Sequence, residues 1–85
     1  MNVFPNPAFD KFSVRFTSDK ETKLNLQLVE MGSGRVILMK TVNAVVGENL
    51  VPVEVTSYIN NAAHYVLMLG NETIRYTPLK MALRR

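Results

Sequence analysis

Leu24-Asn25-Leu26-Gln27-Leu28 alternates apolar and polar side chains without a break. Successive side chains of an extended strand point to opposite faces, so this stretch turns its leucines one way and its amides the other. Phe12-Ser13-Val14-Arg15-Phe16 repeats the pattern upstream. Strands of this kind belong to antiparallel sheets with one covered face and one wet face.

Outward from these two runs, turn chemistry recurs at short intervals. Ser18-Asp19-Lys20-Glu21 is a polar loop, and Gly32-Ser33-Gly34 separates residues 24–29 from residues 35–42 at hairpin spacing. Gly47-Glu48-Asn49 precedes an alternating run over 50–55. Residues 57–63 form a connection with room for a helical turn before the apolar run 64–69. Gly70-Asn71 reads as a second tight hairpin leading into a strand over 73–77, and residues 79–83 close the chain. Val66-Leu67-Met68-Leu69 is continuous, which predicts a central strand buried on both faces. Pro52 and Pro78 cannot donate to a ladder and predict edge positions, bulges or strand starts.

The reading is about six or seven short strands with no helical period, hence an all-β chain folded as a small antiparallel β-sandwich. With 85 residues there is room for a single domain, residues 1–85. Its composition, 47% hydrophobic and 20% charged, is that of a globular domain. Cysteine is absent and histidine occurs once, which excludes disulfides, thiolate metal sites and multi-histidine metal sites within this sequence. No apolar run approaches the ~18–20 residues of a membrane-spanning helix. Met1-Asn2-Val3-Phe4-Pro5-Asn6-Pro7 lacks the basic segment and apolar run of a secretory signal, so the expectation is a cytoplasmic protein or a piece of a longer chain.

The net charge of +3 is unevenly placed. Arg75, Lys80, Arg84 and Arg85 face no acid after residue 74, whereas residues 1–74 carry six bases and all seven acids. A basic end suits phosphates, anionic lipid or an acidic protein groove, and equally a solvated last strand with blunted edges.

Catalytic chemistry is thin. His64 is the sole available base for a serine nucleophile, and Ser33 between two glycines lacks the strand–turn–helix setting of a nucleophile elbow. The carboxylates fall in turns or on wet faces rather than in pairs in an apolar pocket. Gly32-Ser33-Gly34-Arg35 is too short for a phosphate loop and has no following helix; a hairpin explains its glycines. Tyr76 near Arg75 and Lys80 is the one cluster suggestive of nucleic acid, and Tyr58 and Tyr76 are the aromatics free to stack on a sugar. No enzyme, cofactor, metal or nucleic-acid partner is expected.

The landmarks then fall into a series. Val3-Phe4-Pro5-Asn6-Pro7-Ala8 before an alternating strand resembles the opening of the type A C-terminal sorting domain of the type IX (Por) secretion system. Gly34-Arg35 resembles that family's Gly-Arg hairpin, Gly47-Glu48-Asn49 its Gly-x-Asn strand entry, and Ala63-His64-Tyr65 its Gly-x-Tyr strand start. Residues 80–85 stand where the family ends in a basic, apolar strand. Ala63 and Val29 replace a usual glycine and tyrosine, and the Gly32–Gly34 turn carries an extra residue.

The resemblance implies an Ig-like sandwich and a non-catalytic sorting signal at the end of a larger exported protein. Its partners would be the N-terminal cargo domain, the outer-membrane translocon and a sortase, with no membrane insertion of its own. Its destination would be the cell surface or the medium, by way of the periplasm. Lys80, Arg84 and Arg85 are the expected recognition residues. Pro5, Asn6, Pro7, Ala8, Gly34, Arg35, Gly47, Asn49 and Tyr65 are the motif residues, with Tyr65 expected in the core. The alternative is a structural or carbohydrate-binding β-sandwich module of an extracellular enzyme.

Overall fold

Alternation in the sequence becomes two-faced strands in the computed structural model, which describes residues 1–6, 11–55 and 63–83. The strands are β1 (Asn2–Phe4), β2 (Lys11–Ser18), β3 (Thr22–Glu30), β4 (Val36–Ala44), β5 (Gly47–Glu54), β6 (Ala63–Gly70) and β7 (Leu79–Leu83). Every neighbouring pair is antiparallel. They form a three-stranded sheet in the order β1-β2-β5 and a four-stranded sheet in the order β4-β3-β6-β7. This is the connectivity of an Ig-like sandwich whose fourth strand has left the first sheet and joined the second.

The inward rows of both sheets meet in one core. Phe12, Val14 and Phe16 of β2 with Val51 and Val53 of β5 face Leu24, Leu26 and Leu28 of β3 and Tyr65, Leu67 and Leu69 of β6. Val14, Leu28, Leu67 and Leu83 are completely buried. Burying each such side chain contributes about 1.5–3 kcal/mol, which is how so short a chain offsets its ordering entropy.

Two expectations need correction. β6 is central in its sheet, but Val66 is half-buried and Met68 is 39% exposed, so only one of its faces is covered. The apolar run was long enough for a doubly buried strand, yet no third layer exists among the described residues to cover its outer side. Residues 73–77 form no strand. Asn71 Oδ1 accepts hydrogen bonds from the amides of Thr73 (2.8 Å) and Ile74 (2.7 Å), bending the chain into a turn. Only the single bridge Gly70–Arg75 follows, and the partner of β6 is β7, beginning just after Pro78. The connection over 57–63 lies mostly outside the described residues.

Candidate functional site

Asn6, Gly34, Arg35, Gly47 and Asn49 of the motif sit at junctions of the chain, and Tyr65 sits in the core. Asn6 is exposed, and its Oδ1 accepts the Ala82 amide at 3.1 Å, so the opening segment is tied to the last strand. Sequence reasoning placed Asn6 in the opening motif and named no partner for it. The partner is 76 residues away, and no local signal could have named it. Pro7 and Ala8 lie outside the described residues.

The β3–β4 turn is closed by the Gly34 amide donating to the Glu30 carbonyl (2.8 Å) and the Glu30 amide to the Arg35 carbonyl (2.9 Å). Gly34 has φ +72°, a left-handed conformation that a side chain disfavours. Ser33 is spent on the same turn: its hydroxyl donates to Glu30 Oε1 (2.6 Å) and accepts from the Arg35 amide (3.2 Å). The one carboxylate beside it is part of that turn, and His64 is exposed on the outer face of β6.

At the β4–β5 turn, Gly47 has φ +98° and Asn49 is buried. Asn49 Oδ1 accepts from the Val45 amide (2.9 Å), while its Nδ2 donates to the carbonyls of Val45 (3.0 Å) and Gly47 (3.1 Å). That donor and acceptor pattern fixes which way round the amide sits. Tyr65 is 2% exposed, as expected of a core residue. Burial pushes its phenol up from the ordinary value of 10.0; nearby Glu30 raises it further and Arg35 pulls the other way.

The outer faces of the two sheets differ in charge. On the three-stranded sheet, Lys11 lies opposite Glu54, and Arg15 lies between Phe4, whose ring it covers at 5.2 Å, and Glu48, which it meets at 3.0 Å. Bases and acids there are balanced. On the four-stranded sheet, Gln27 sits between Met39 and Met68, and Val29 between Val36 and Val66. Lys80 projects beside Val66, and Lys23 lies beside Asn43. No carboxylate occupies an outward strand position of this face among the described residues. The result is an exposed apolar strip flanked by cations, with Met39 at 64% exposure. Arg84 and Arg85, expected to act with Lys80, lie outside the described residues.

The aromatic cluster expected to be free for ligands is otherwise engaged. The Tyr76 hydroxyl donates to the Thr17 carbonyl at 2.6 Å, and its ring meets Phe16 edge-on, with centroids 5.4 Å apart. Tyr76 is thus half-buried structure rather than a stacking platform. Tyr58 lies outside the described residues. Among the described residues no group of three or more His, Asp or Glu side chains is placed to hold a metal ion. The outer side of the four-stranded sheet thus offers exposed apolar side chains edged by Lys23 and Lys80.

A comparison with family models matches residues 2–77 to the secretion system C-terminal sorting domain. No curated protein and no solved structure matches the chain significantly. The match runs from β1 through the turn after β6 and takes in Asn6, Gly34, Gly47, Asn49 and Tyr65; β7, with Lys80, lies beyond it. A two-sheet sandwich matched over most of its length, with Asn6, Gly34, Gly47 and Asn49 closing turns or tying an end, belongs to the C-terminal sorting domain family of the type IX secretion system.

Proposed function

We propose that this chain is a non-catalytic address, carried at the end of a larger cargo and read by the outer-membrane translocon of type IX secretion. Residues 1–85 act as one unit, and the cargo that precedes them is delivered to the cell surface or the medium, with a sortase acting upstream of the sandwich. The family match over residues 2–77 carries this reading. The exposed face of β7 supports its detail: Lys80 is exposed and makes no ion pair among the described residues, and Arg84 and Arg85 follow in sequence. Cations at the rim of an apolar strip steer an acidic partner and set its register.

The test is export of a reporter fused upstream of this chain, in a bacterium with type IX secretion. The wild-type fusion reaches the surface or the medium. The triple variant Lys80→Glu, Arg84→Glu, Arg85→Glu keeps its circular dichroism spectrum and is retained in the periplasm. Normal export of a folded triple variant refutes the assignment of those residues.

A further inference from the structure

We propose that the open edge of β4 is a strand-addition site for an extended segment of another protein, one that is apolar at alternate positions and carries a carboxylate opposite Lys40. The inference goes beyond the reading of the basic end; it rests on the sorting role only in that the segment would belong to the export machinery.

A sheet edge is a row of unpaired backbone groups, and proteins blunt such rows unless they are used. Three of the four edges here are blunted. β1 is only three residues long. β7 is five residues long, enters from Pro78, and has its Ala82 amide held by Asn6. β5 carries Pro52, whose carbonyl faces the open side, where it accepts the Lys40 ammonium at 3.1 Å. Carbonyl and nitrogen of one strand residue point the same way, so the missing donor of Pro52 lies on that same open side.

β4 has none of these; its one guard is the inward-pointing Lys40, which bars a like-charged edge and not an acidic one. It is nine residues long, contains no proline, and begins Val-Ile-Leu-Met. Register shows which of its groups are free. The Ala82 amide points to Asn6, so the bonding groups of Met81 face Tyr65, and those of His64, Val66 and Met68 face β3. The bond from the Met31 amide to the His64 carbonyl agrees. Leu24, Leu26 and Leu28 therefore bond to Val42, Lys40 and Leu38, and the N–H and C=O groups of Met39, Thr41 and Asn43 are left on the open edge. The register irregularity at Leu28/Val29 affects only the start of β4, before Leu38.

Specificity in strand addition comes from pockets for alternate side chains. A cleft of about 620 Å³ adjoins this edge: Leu38 and Lys40 line its β4 side, and most of the remaining wall, Phe12, Pro52, Val53 and Glu54 included, comes from the other sheet. A second copy of this chain is the wrong occupant. Antiparallel self-pairing over the whole of Val36–Ala44 centres on Lys40, setting it directly across from its counterpart. It would do so in a non-hydrogen-bonded pair, where side chains are closest and like charges repel. A carboxylate at that position turns the same geometry to attraction, since the ammonium retains donors beyond the one given to Pro52.

Thr41→Pro removes one open-edge donor and leaves the ladder to β3 untouched, as Pro52 does naturally on β5. The probe is a nine-residue peptide, matched to β4 in length, alternating threonine and valine with a central glutamate. Amide exchange of the 85-residue chain is followed by NMR. Bound peptide slows exchange at Met39, Thr41 and Asn43, Thr41→Pro weakens binding roughly tenfold or more, and Thr41→Val binds as wild type. No protection at millimolar peptide, protection at another edge, or a Thr41-dependent dimer by sedimentation overturns the proposal.

In the reporter assay, retention of a folded Thr41→Pro fusion beside an exported wild type supports it, and equal export overturns the link to the machinery. Failure of the wild type itself to be exported refutes the sorting reading and leaves the edge to be judged by the peptide.

Discussion

Replacing Asn49 with alanine removes three hydrogen bonds that close the β4–β5 turn, at 2.9, 3.0 and 3.1 Å. Val45 is exposed and Gly47 half-buried, so the backbone groups set free are within reach of water. The loss is then the net value of each bond, about 0.5–1.5 kcal/mol, rather than a full desolvation penalty. Together they come to about 1.5–4.5 kcal/mol, centred near ~3. Domains of this size lose ~4–8 °C of melting temperature per kcal/mol, so Asn49→Ala should melt roughly 10–20 °C below wild type. Thermal unfolding followed by circular dichroism is the assay, with urea titration as a check on cooperativity. Asn49→Asp is the sharper variant: it keeps the acceptor for the Val45 amide but turns a carboxylate toward two carbonyls, and at neutral pH it should be no more stable than the alanine. A melting point for Asn49→Ala within about 2 °C of wild type would refute the reasoning, because Gly47 alone would then hold the turn.

Other perturbations test other parts of the sandwich. Leu67 is completely buried between the sheets, so Leu67→Ala should cost about 2–5 kcal/mol in urea denaturation. A Cβ at Gly70 would stand 2.6 Å from the Ile74 carbonyl oxygen, so Gly70→Ala should destabilise by about 1–3 kcal/mol. Gly32→Ala, with nothing within 4 Å, should stay within about 0.5 kcal/mol of wild type. The Tyr65 phenol holds its proton more tightly folded than unfolded. Its stabilising contribution is therefore intact below the unfolded pKa of 10.0 and is lost as pH rises through the higher folded value. The urea midpoint of wild type should fall more steeply than that of Tyr65→Phe above about pH 10.

Much of this architecture was legible because it rests on local periodicity. The inward rows of β2, β3 and β5 follow the alternation of Phe12 to Phe16, Leu24 to Leu28 and Val51 to Val55. The turns at Gly34 and Gly47 follow from a conformation that glycine adopts without strain. Local pattern misleads where tertiary context decides. The run 66–69 looked doubly buried because apolarity reports a preference for burial, not the presence of a second layer. Residues 73–77 looked like a strand because Gly70-Asn71 reads as a hairpin turn, but Asn71 takes the amides of Thr73 and Ile74 for a turn of its own. Asn6 and Asn49 stood out as motif residues while their partners did not, since a side-chain amide bonds whatever the fold brings to it. The open groups of β4 belong to the same class: they follow only from strand order.

The clasp between Asn6 and Ala82 joins the segment just after β1 to β7, 76 residues further along the chain. Until Ala82 has left the ribosome, Asn6 has only water to bond, and the flank of β6 that receives β7 is bare. Loop closure over so many residues also delays folding relative to the local hairpins. The clasp is thus a late fastening: it can close only when both sheets between Asn6 and Ala82 have been laid down.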